Sequence, residues 1–304
     1  MIRFTYNPFT KYYHNCMEIK VHSETGRLNT VILGIAHDRG AINHVNNPKH
    51  AEIAQKGEEP TEEALTQQVE GFAQILEECG VEVLRPENIS GQDQIFSRDI
   101  GFAIGKHFFL ANMRKANRQP EVNAIKPLLK SLPHVHQAPP EVVMEGGDII
   151  VWKDRVFVGL GERTNNAGLN YLQHALQGEK EVIGLPVNVT DEGKSNILHL
   201  DCAFQPVGDK YGLIYKDGFK SCPDAIYDVF GAQNLIEVSQ EEMYHMFPNV
   251  FSVHPELVIL EQSFDRLIGE LKKRHIKTLT VPYAEVAKLG GLLRCSTCPL
   301  SREE

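Results

Sequence analysis

The 304-residue chain is 42% hydrophobic, enough to bury a full-sized core, and its formal net charge is −9. That acidic balance, with no long block of lysine or arginine, excludes a nucleic-acid surface, which needs clustered positive charge. No apolar run approaches the roughly 18 residues of a membrane helix, and six cysteines scattered along the chain suit a reduced, cytoplasmic setting rather than a disulfide scaffold.

Residues 1–16, MIRFTYNPFTKYYHNC, have no apolar h-region, so no secretory signal is expected there. They read as an extension outside the fold, and 17–304 as one domain. Next comes a strand, RLNTVILG, and then an amphipathic helix followed by a short strand, a unit that recurs five times. The first unit is TEEALTQQVEGFAQILEECG leading to VEVLRP: Thr61 is the expected N-cap, Leu65, Val69, Phe72 and Leu76 form one stripe, and Gly80 ends the helix. The others are EVNAIKPLLKSL to HVHQA, AGLNYLQHALQG to EVIGLPV, CPDAIYDVFG to NLIEVS, and SFDRLIGELKKR to IKTLTVPY.

After four of these strands stands a β-hairpin with a polar turn: IGFAIGKHFFLA, DIIVWKDRVFVGL, CAFQPVGDKYGLIY and NVFSVHPELVIL. The fifth is followed only by GGLLRCSTCPL, half a hairpin, and RLNTVILG is the candidate for its missing strand. Five units closed by pairing the two ends leave no open sheet edge. A five-fold pseudo-symmetric α/β propeller is therefore expected, with a doubly wound sheet as the alternative.

Aligned at the hairpin starts, the units carry QIFSRD, MEGGD, LHLDCAF and LLRCSTC. Asp99, Glu145, His199 with Asp201, and Cys295 thus fall at similar places in four of the five. Strand alternation puts His199 and Asp201 on one face and Leu200 and Cys202 on the other, and likewise sends Cys295 and Cys298 to opposite faces. The Cys295/Cys298 pair has no second C-x-x-C to complete a zinc ribbon and, beside Pro299, no room for the helix that a redox dithiol opens. One thiol, one imidazole and three carboxylates suit a cationic, planar substrate. A guanidinium matches carboxylates in bidentate geometry, so Asp99 and Asp201 can clamp it. A thiolate on Cys295 is a suitable attacker of its central carbon, His199 a suitable acid and base, and Glu145 a group to hold the imidazole.

The set F-x-R-D, E-G-G-D, H-x-D and G-G-x-x-x-C, spanning Phe96 to Cys298, resembles the guanidino-group-modifying, or pentein, superfamily. It includes arginine deiminase, dimethylarginine dimethylaminohydrolase, agmatine deiminase and the amidinotransferases. The resemblance implies a propeller of ββαβ units with Cys295 as nucleophile, His199 as acid and base, Glu145 beside it, Asp99 and Asp201 on the guanidinium, and Phe96 as a pocket wall. NMRKANRQPE and GLGERTN resemble the segments that supply carboxylate-binding arginines, here Arg118 and Arg163. Gly290 stands where arginine deiminases usually carry Arg and dimethylarginine hydrolases Asp. The implied activity is metal-independent, cofactor-free hydrolysis of arginine or a methylated arginine to a ureido product. Transfer of the amidino group to an amine is the alternative, though EGGD argues against it, and a non-catalytic binding protein on the same fold is a remote one. The expected partner is a small guanidino compound, not nucleic acid or membrane, and a homo-oligomer is compatible with the sequence.

Overall fold

The structure is a computed structural model that describes residues 17–40 and 47–304. The extension read at 1–16 lies outside the described residues. Among the described residues the strands form five three-stranded sheets, each an antiparallel pair with a third strand added in parallel. Strands β3 (Gly101–Ile104), β4 (His107–Leu110) and β5 (Val135–Gln137) make one sheet, and β6 (Ile149–Trp152), β7 (Arg155–Leu160) and β8 (Glu181–Pro186) the next. They are followed by β9 (Phe204–Val207), β10 (Tyr211–Ile214) and β11 (Leu235–Glu237), then β12 (Phe251–His254), β13 (Leu257–Glu261) and β14 (Lys277–Val281). The fifth sheet joins the ends: β15 (Thr297–Glu303) pairs antiparallel with β1 (Arg27–Leu33), from Arg27 opposite Glu303 to Leu33 opposite Thr297, and β2 (Glu82–Leu84) completes it. The propeller and its closure are as the repeat implies.

The helices cover the sheets for the reasons visible in their residues. In α2 (Glu62–Glu78), Thr61 caps Ala64 N at 3.2 Å, and Leu65, Val69, Phe72 and Leu76 are all buried. Gly80 follows with φ +82°, a left-handed conformation that glycine adopts without strain. Helices α4 (Asn166–Ala175), α5 (Asp224–Phe230) and α7 (Asp265–Lys273) match the expected units. The second unit differs: Ala116–Ile125 is a 3-10 helix around Pro120, and only α3 (Lys126–Leu129) is α-helical. Pro127 lacks the N–H that would continue an α-helical ladder back to Asn123, which explains the break. Among the described residues three α-helices have no counterpart in the repeat: α1 (Pro48–Lys56), capped by Asn47, α6 (Gln240–Tyr244), which opens with a Ser239/Glu242 capping box, and α8 (Ala284–Ala287).

Two local geometries correct the strand reading. Leu200–Cys202 is a 3-10 turn, not part of a strand. Cys295 sits in a turn ahead of β15, closed by Ser296 N to Leu292 O at 3.1 Å and Thr297 N to Arg294 O at 3.0 Å. A polar side chain aimed at the axis from a tight turn needs no strand alternation to get there. No helix among the described residues is long and apolar enough to cross a membrane.

Candidate active site

Asp99, Asn249 and Cys295 each stand two residues ahead of the first strand of a sheet, at Gly101, Phe251 and Thr297. Glu145 and His199 lie slightly farther ahead of β6 and β9. The closed ring therefore brings the five chain segments to one centre. Around it a cleft is lined by Asn47, His50, Asp93, Phe96, Asp99, Arg118, Arg163, Leu198, His199, Cys295 and the stretch Leu289–Gly291.

At the floor, Cys295 Sγ lies 3.6 Å from Asp201 Oδ2. Asp201 accepts from Arg294 Nη1 at 2.8 Å, and Arg294 in turn donates to Glu24 and to Ile149 O, so this carboxylate is anchored by a buried ion network. Across from the thiol, His199 is nearly fully buried between two carboxylates, with Nε2 2.9 Å from Glu145 Oε2 and Nδ1 3.7 Å from Asp99 Oδ1. Burial opposes charge on the imidazole, but Asp99 and the Glu145 hydrogen bond outweigh it and push its pKa up to about 9. Glu145 is held below the usual carboxylate range: burial works against ionisation, and Arg163 and His199 prevail over it. The Cys295 thiol is pushed far up by burial and by the carboxylates of Asp201 and Asp99, so without a cation nearby it stays protonated.

The glycines of EGGD have a packing reason. A Cβ on Gly147 would stand 2.6 Å from His199 Cγ, so only glycine lets the imidazole lie against this turn. Gly290 has φ +80° and a Cβ there would fall 2.0 Å from Asn47 Nδ2. The position that carries a charge in the resembling enzymes is thus closed to a side chain here. Asn47 lines the cleft instead.

Every candidate read from the sequence lies in or directly behind this cleft. Phe96 is a wall packed against Gly291. Arg118 and Arg163 are buried rather than solvated. Arg118 donates to Glu121 through Nε and Nη2 and to Asp99 through Nη1 at 2.8 Å, and Arg163 Nη1 lies 3.3 Å from Glu145 Oε2. Asp99, Glu145 and His199 present ligand atoms within 4.8 Å of one another, a spacing a metal ion can use. Two guanidinium groups already pair those carboxylates, and a dication would have to sit against both.

Several residues of the site escaped the sequence reading. Asn249 is the chief one. Its Oδ1 accepts from Cys295 N at 3.0 Å and Leu292 N at 3.2 Å, while Nδ2 donates to Cys295 Sγ at 3.1 Å. The signal was available: Asn249 occupies in the fourth unit the place that Asp99 and Cys295 occupy in theirs. Asp148 is another. It accepts from Leu200 N at 2.9 Å, fixing the turn that carries Asp201, and burial pushes its pKa up to about 7. Glu24 and Arg294 had no repeat position to mark them.

The same architecture occurs in solved structures at low sequence identity. The substrate-bound N-terminal domain of ArgZ, an arginine dihydrolase from the ornithine-ammonia cycle in Cyanobacteria, superposes with TM-score 0.80 at 21% identity, covering 90% of this chain and 98% of that one. The inosamine-phosphate amidinotransferase StrB1 of Streptomyces griseus gives TM-score 0.76 at 19% identity, over 94% of this chain and 97% of that one. The fold and its motifs place the chain in the guanidino-group-modifying, or pentein, superfamily. More narrowly, it belongs to the family described as N,N dimethylarginine dimethylhydrolase, eukaryotic, whose pattern matches residues 38–302. A curated relative, the uncharacterized protein YkgA of Bacillus subtilis (strain 168), is 33% identical over 222 residues, 73% of this chain and 74% of the relative.

Proposed function

We propose that the chain is a cysteine-dependent hydrolase of a guanidino amino acid, arginine or a methylated arginine, that works without a metal. The observation that carries this reading is the arrangement of groups in the cleft: an imidazole held between two carboxylates, and in the same cleft a thiol beside a third. Asp99 and Asp201 supply the negative charge that a guanidinium needs. Once the cation lies between them it offsets the fields that keep the Cys295 thiol protonated; the thiol gives its proton to water in the cleft, and the thiolate forms where the substrate carbon is. Attack makes the S–C bond. The departing amine takes the proton that His199 holds, leaving a thiouronium on Cys295. The neutral imidazole then accepts a proton from water, whose oxygen attacks the same carbon. The C–S bond breaks, and a ureido product leaves. Glu145 and Arg163 keep His199 oriented through both halves.

Membership of the dimethylarginine family favours hydrolysis and a substrate that carries an α-carboxylate. Arg118 and Arg163 are the groups for that carboxylate. Arg118 uses three of its five N–H donors within the protein, and two remain. Incubation with arginine, monomethylarginine, dimethylarginine and agmatine, followed by assays for ureido product and released amine, tests the reading. The expected result is a ureido product from one of the three amino acids and far less from agmatine. An ornithine-like product that appears only with an amine acceptor overturns hydrolysis in favour of amidino transfer.

A further inference from the structure

The stretch His134-Val135-His136 entered the sequence reading only as a strand. His136 lies on β5, His134 stands just before that strand in a left-handed turn conformation with φ +59°, and β4 supplies a third histidine. Phe108 N donates to His134 O at 3.0 Å, which sets His107 beside His134, and Phe109 pairs with His136 in register. The three imidazoles gather. His107 Nδ1 lies 2.9 Å from His136 Nε2, and the rings of His107 and His134 meet edge to face with centroids 5.4 Å apart. His136 is further fixed by stacking on Phe109 at 4.7 Å. Behind His107, Glu179 reaches Nε2 at 3.3 Å. Strand β5 is the outer strand of its sheet, and the cluster stands toward the turn end of the β3–β4 hairpin, away from Asp99.

We propose that His107, His134 and His136 form a binding site for a divalent transition-metal ion of the zinc type, with Glu179 as the carboxylate behind the first ligand. Imidazole nitrogens are the donors such ions favour, and three of them leave one coordination position open. Two ligand nitrogens about 2.0–2.1 Å from one tetrahedral ion lie roughly 3.3 Å apart, so the His107–His136 pair needs only a slight opening to admit it. In the metal-free protein one N–H bridges these two nitrogens; when the metal takes its place, His136 carries its proton on Nδ1 instead, so both rings stay neutral. The Glu179–His107 contact serves the purpose that carboxylates commonly serve behind metal-bound histidines: it fixes the tautomer that leaves Nδ1 free to bind and makes the ring a better donor. Burial and the neighbouring rings of His107 and His134 lower the pKa of His136, so it is neutral near pH 7, as a ligand must be. His134 is exposed, so its side chain is free to turn toward the ion.

The test is a titration of tag-free, chelator-treated protein with Zn2+ in competition with a chromophoric chelator. Wild type is compared with His134→Ala, His136→Ala and Glu179→Gln. The wild type is expected to bind one equivalent that weakens at least about tenfold in each histidine variant and about tenfold in Glu179→Gln, the lower end of what carboxylate partners of this kind contribute. Because His134 is exposed, its variant should keep the metal-free melting temperature of wild type, which separates lost binding from lost folding. Comparison with wild type also subtracts zinc held by Cys295 or by the Asp99–Glu145–His199 cluster. Wild-type and His136→Ala isotherms that superimpose, or a wild type with no equivalent to lose, overturn the proposal.

Discussion

Cys295 and Cys298 are three positions apart and live in different surroundings. Cys295 meets the cleft, Asp201 and Asn249, whereas Cys298 is fully buried with Ile19, Ile100 and Leu300, its Sγ 3.2 Å from Gly101 O. Burial pushes the Cys298 thiol up to about 12, and it behaves as a small apolar side chain. Cys298→Ser should keep most activity, and Cys295→Ser should abolish turnover while still binding substrate. Mass spectrometry during wild-type turnover should find the adduct on Cys295 alone; equal loss in both variants would sink the assignment. Asn249 makes a sharper test, because it hydrogen-bonds both the thiol and the backbone N–H of Cys295 and is not itself titratable. Asn249→Ala leaves Cys295 N and Leu292 N without their acceptor, at about 1–3 kcal/mol for an unsatisfied buried group, so stability and kcat should both fall. Asn249→Asp keeps an acceptor for both N–H groups but puts negative charge beside the sulfur. It should melt below wild type, because a buried charge is costly, and react with iodoacetamide at least tenfold more slowly. An alkylation rate unchanged in Asn249→Asp would show that the amide merely fills space.

At the scale of elements, most of the fold was legible because its repeat is written in two periods, 3.6 in the helices and 2 in the hairpins. The pairing of RLNTVILG with the last strand followed from the one hairpin that lacked a half. What could not be read was turn geometry. The Leu200–Cys202 turn and the turn holding Cys295 are short, and they are held by backbone N–H groups that donate to the side chains of Asp148 and Asn249, distant in sequence. Asn249 was missed because an amide ahead of an apolar strand has the look of ordinary punctuation, and α1 and α6 because they fall between repeat units. The EGGD turn shows how strictly such an element is set. Gly147→Ala must push the His199 ring away from a Cβ at 2.6 Å, and with it the hydrogen bond to Glu145. We expect kcat to drop by about 10–100-fold, with KM changed little because the substrate clamp is untouched. Full activity in Gly147→Ala would mean that His199 need not hold its place.

The closed ring turns the site into a property of the whole molecule. Five segments meet at its centre, so charges that chemistry requires are taken out of water, and their titration is felt as folding stability. His199, Asp148 and Glu121 all have raised pKa values, to about 9, 7 and 7. For each, burial comes first among the causes. It raises the two carboxyl groups outright, Arg118 offsetting only part of the rise at Glu121, whereas for His199 it is overcome by Asp99 and Glu145. A raised folded value contributes stability that is complete below the unfolded pKa and disappears as pH climbs through the folded one. For the two carboxyl groups that loss runs from about pH 4 to 7, and for His199 from about 6.5 to 9. Glu24 and Glu145 act oppositely, their contribution being complete above about pH 4.5 and lost only as pH falls toward 2. Lys49 and Arg302, depressed by burial to about 8 and 9, begin to favour the native state only above about pH 8, and the lowered histidines His136 and His254 are half-buried and weigh little. The melting temperature should therefore peak near pH 5 and decline toward pH 8, in the direction opposite to the opening of a site that needs a thiolate. Asp148→Asn keeps an oxygen for Leu200 N and removes one titrating carboxyl, so it should flatten the fall between pH 5 and 7 while costing little at pH 5. Calorimetry across this range decides the matter: a melting temperature that rises from pH 5 to 8, or a slope that Asp148→Asn leaves unchanged, would show that these buried groups do not hold their protons in the folded protein.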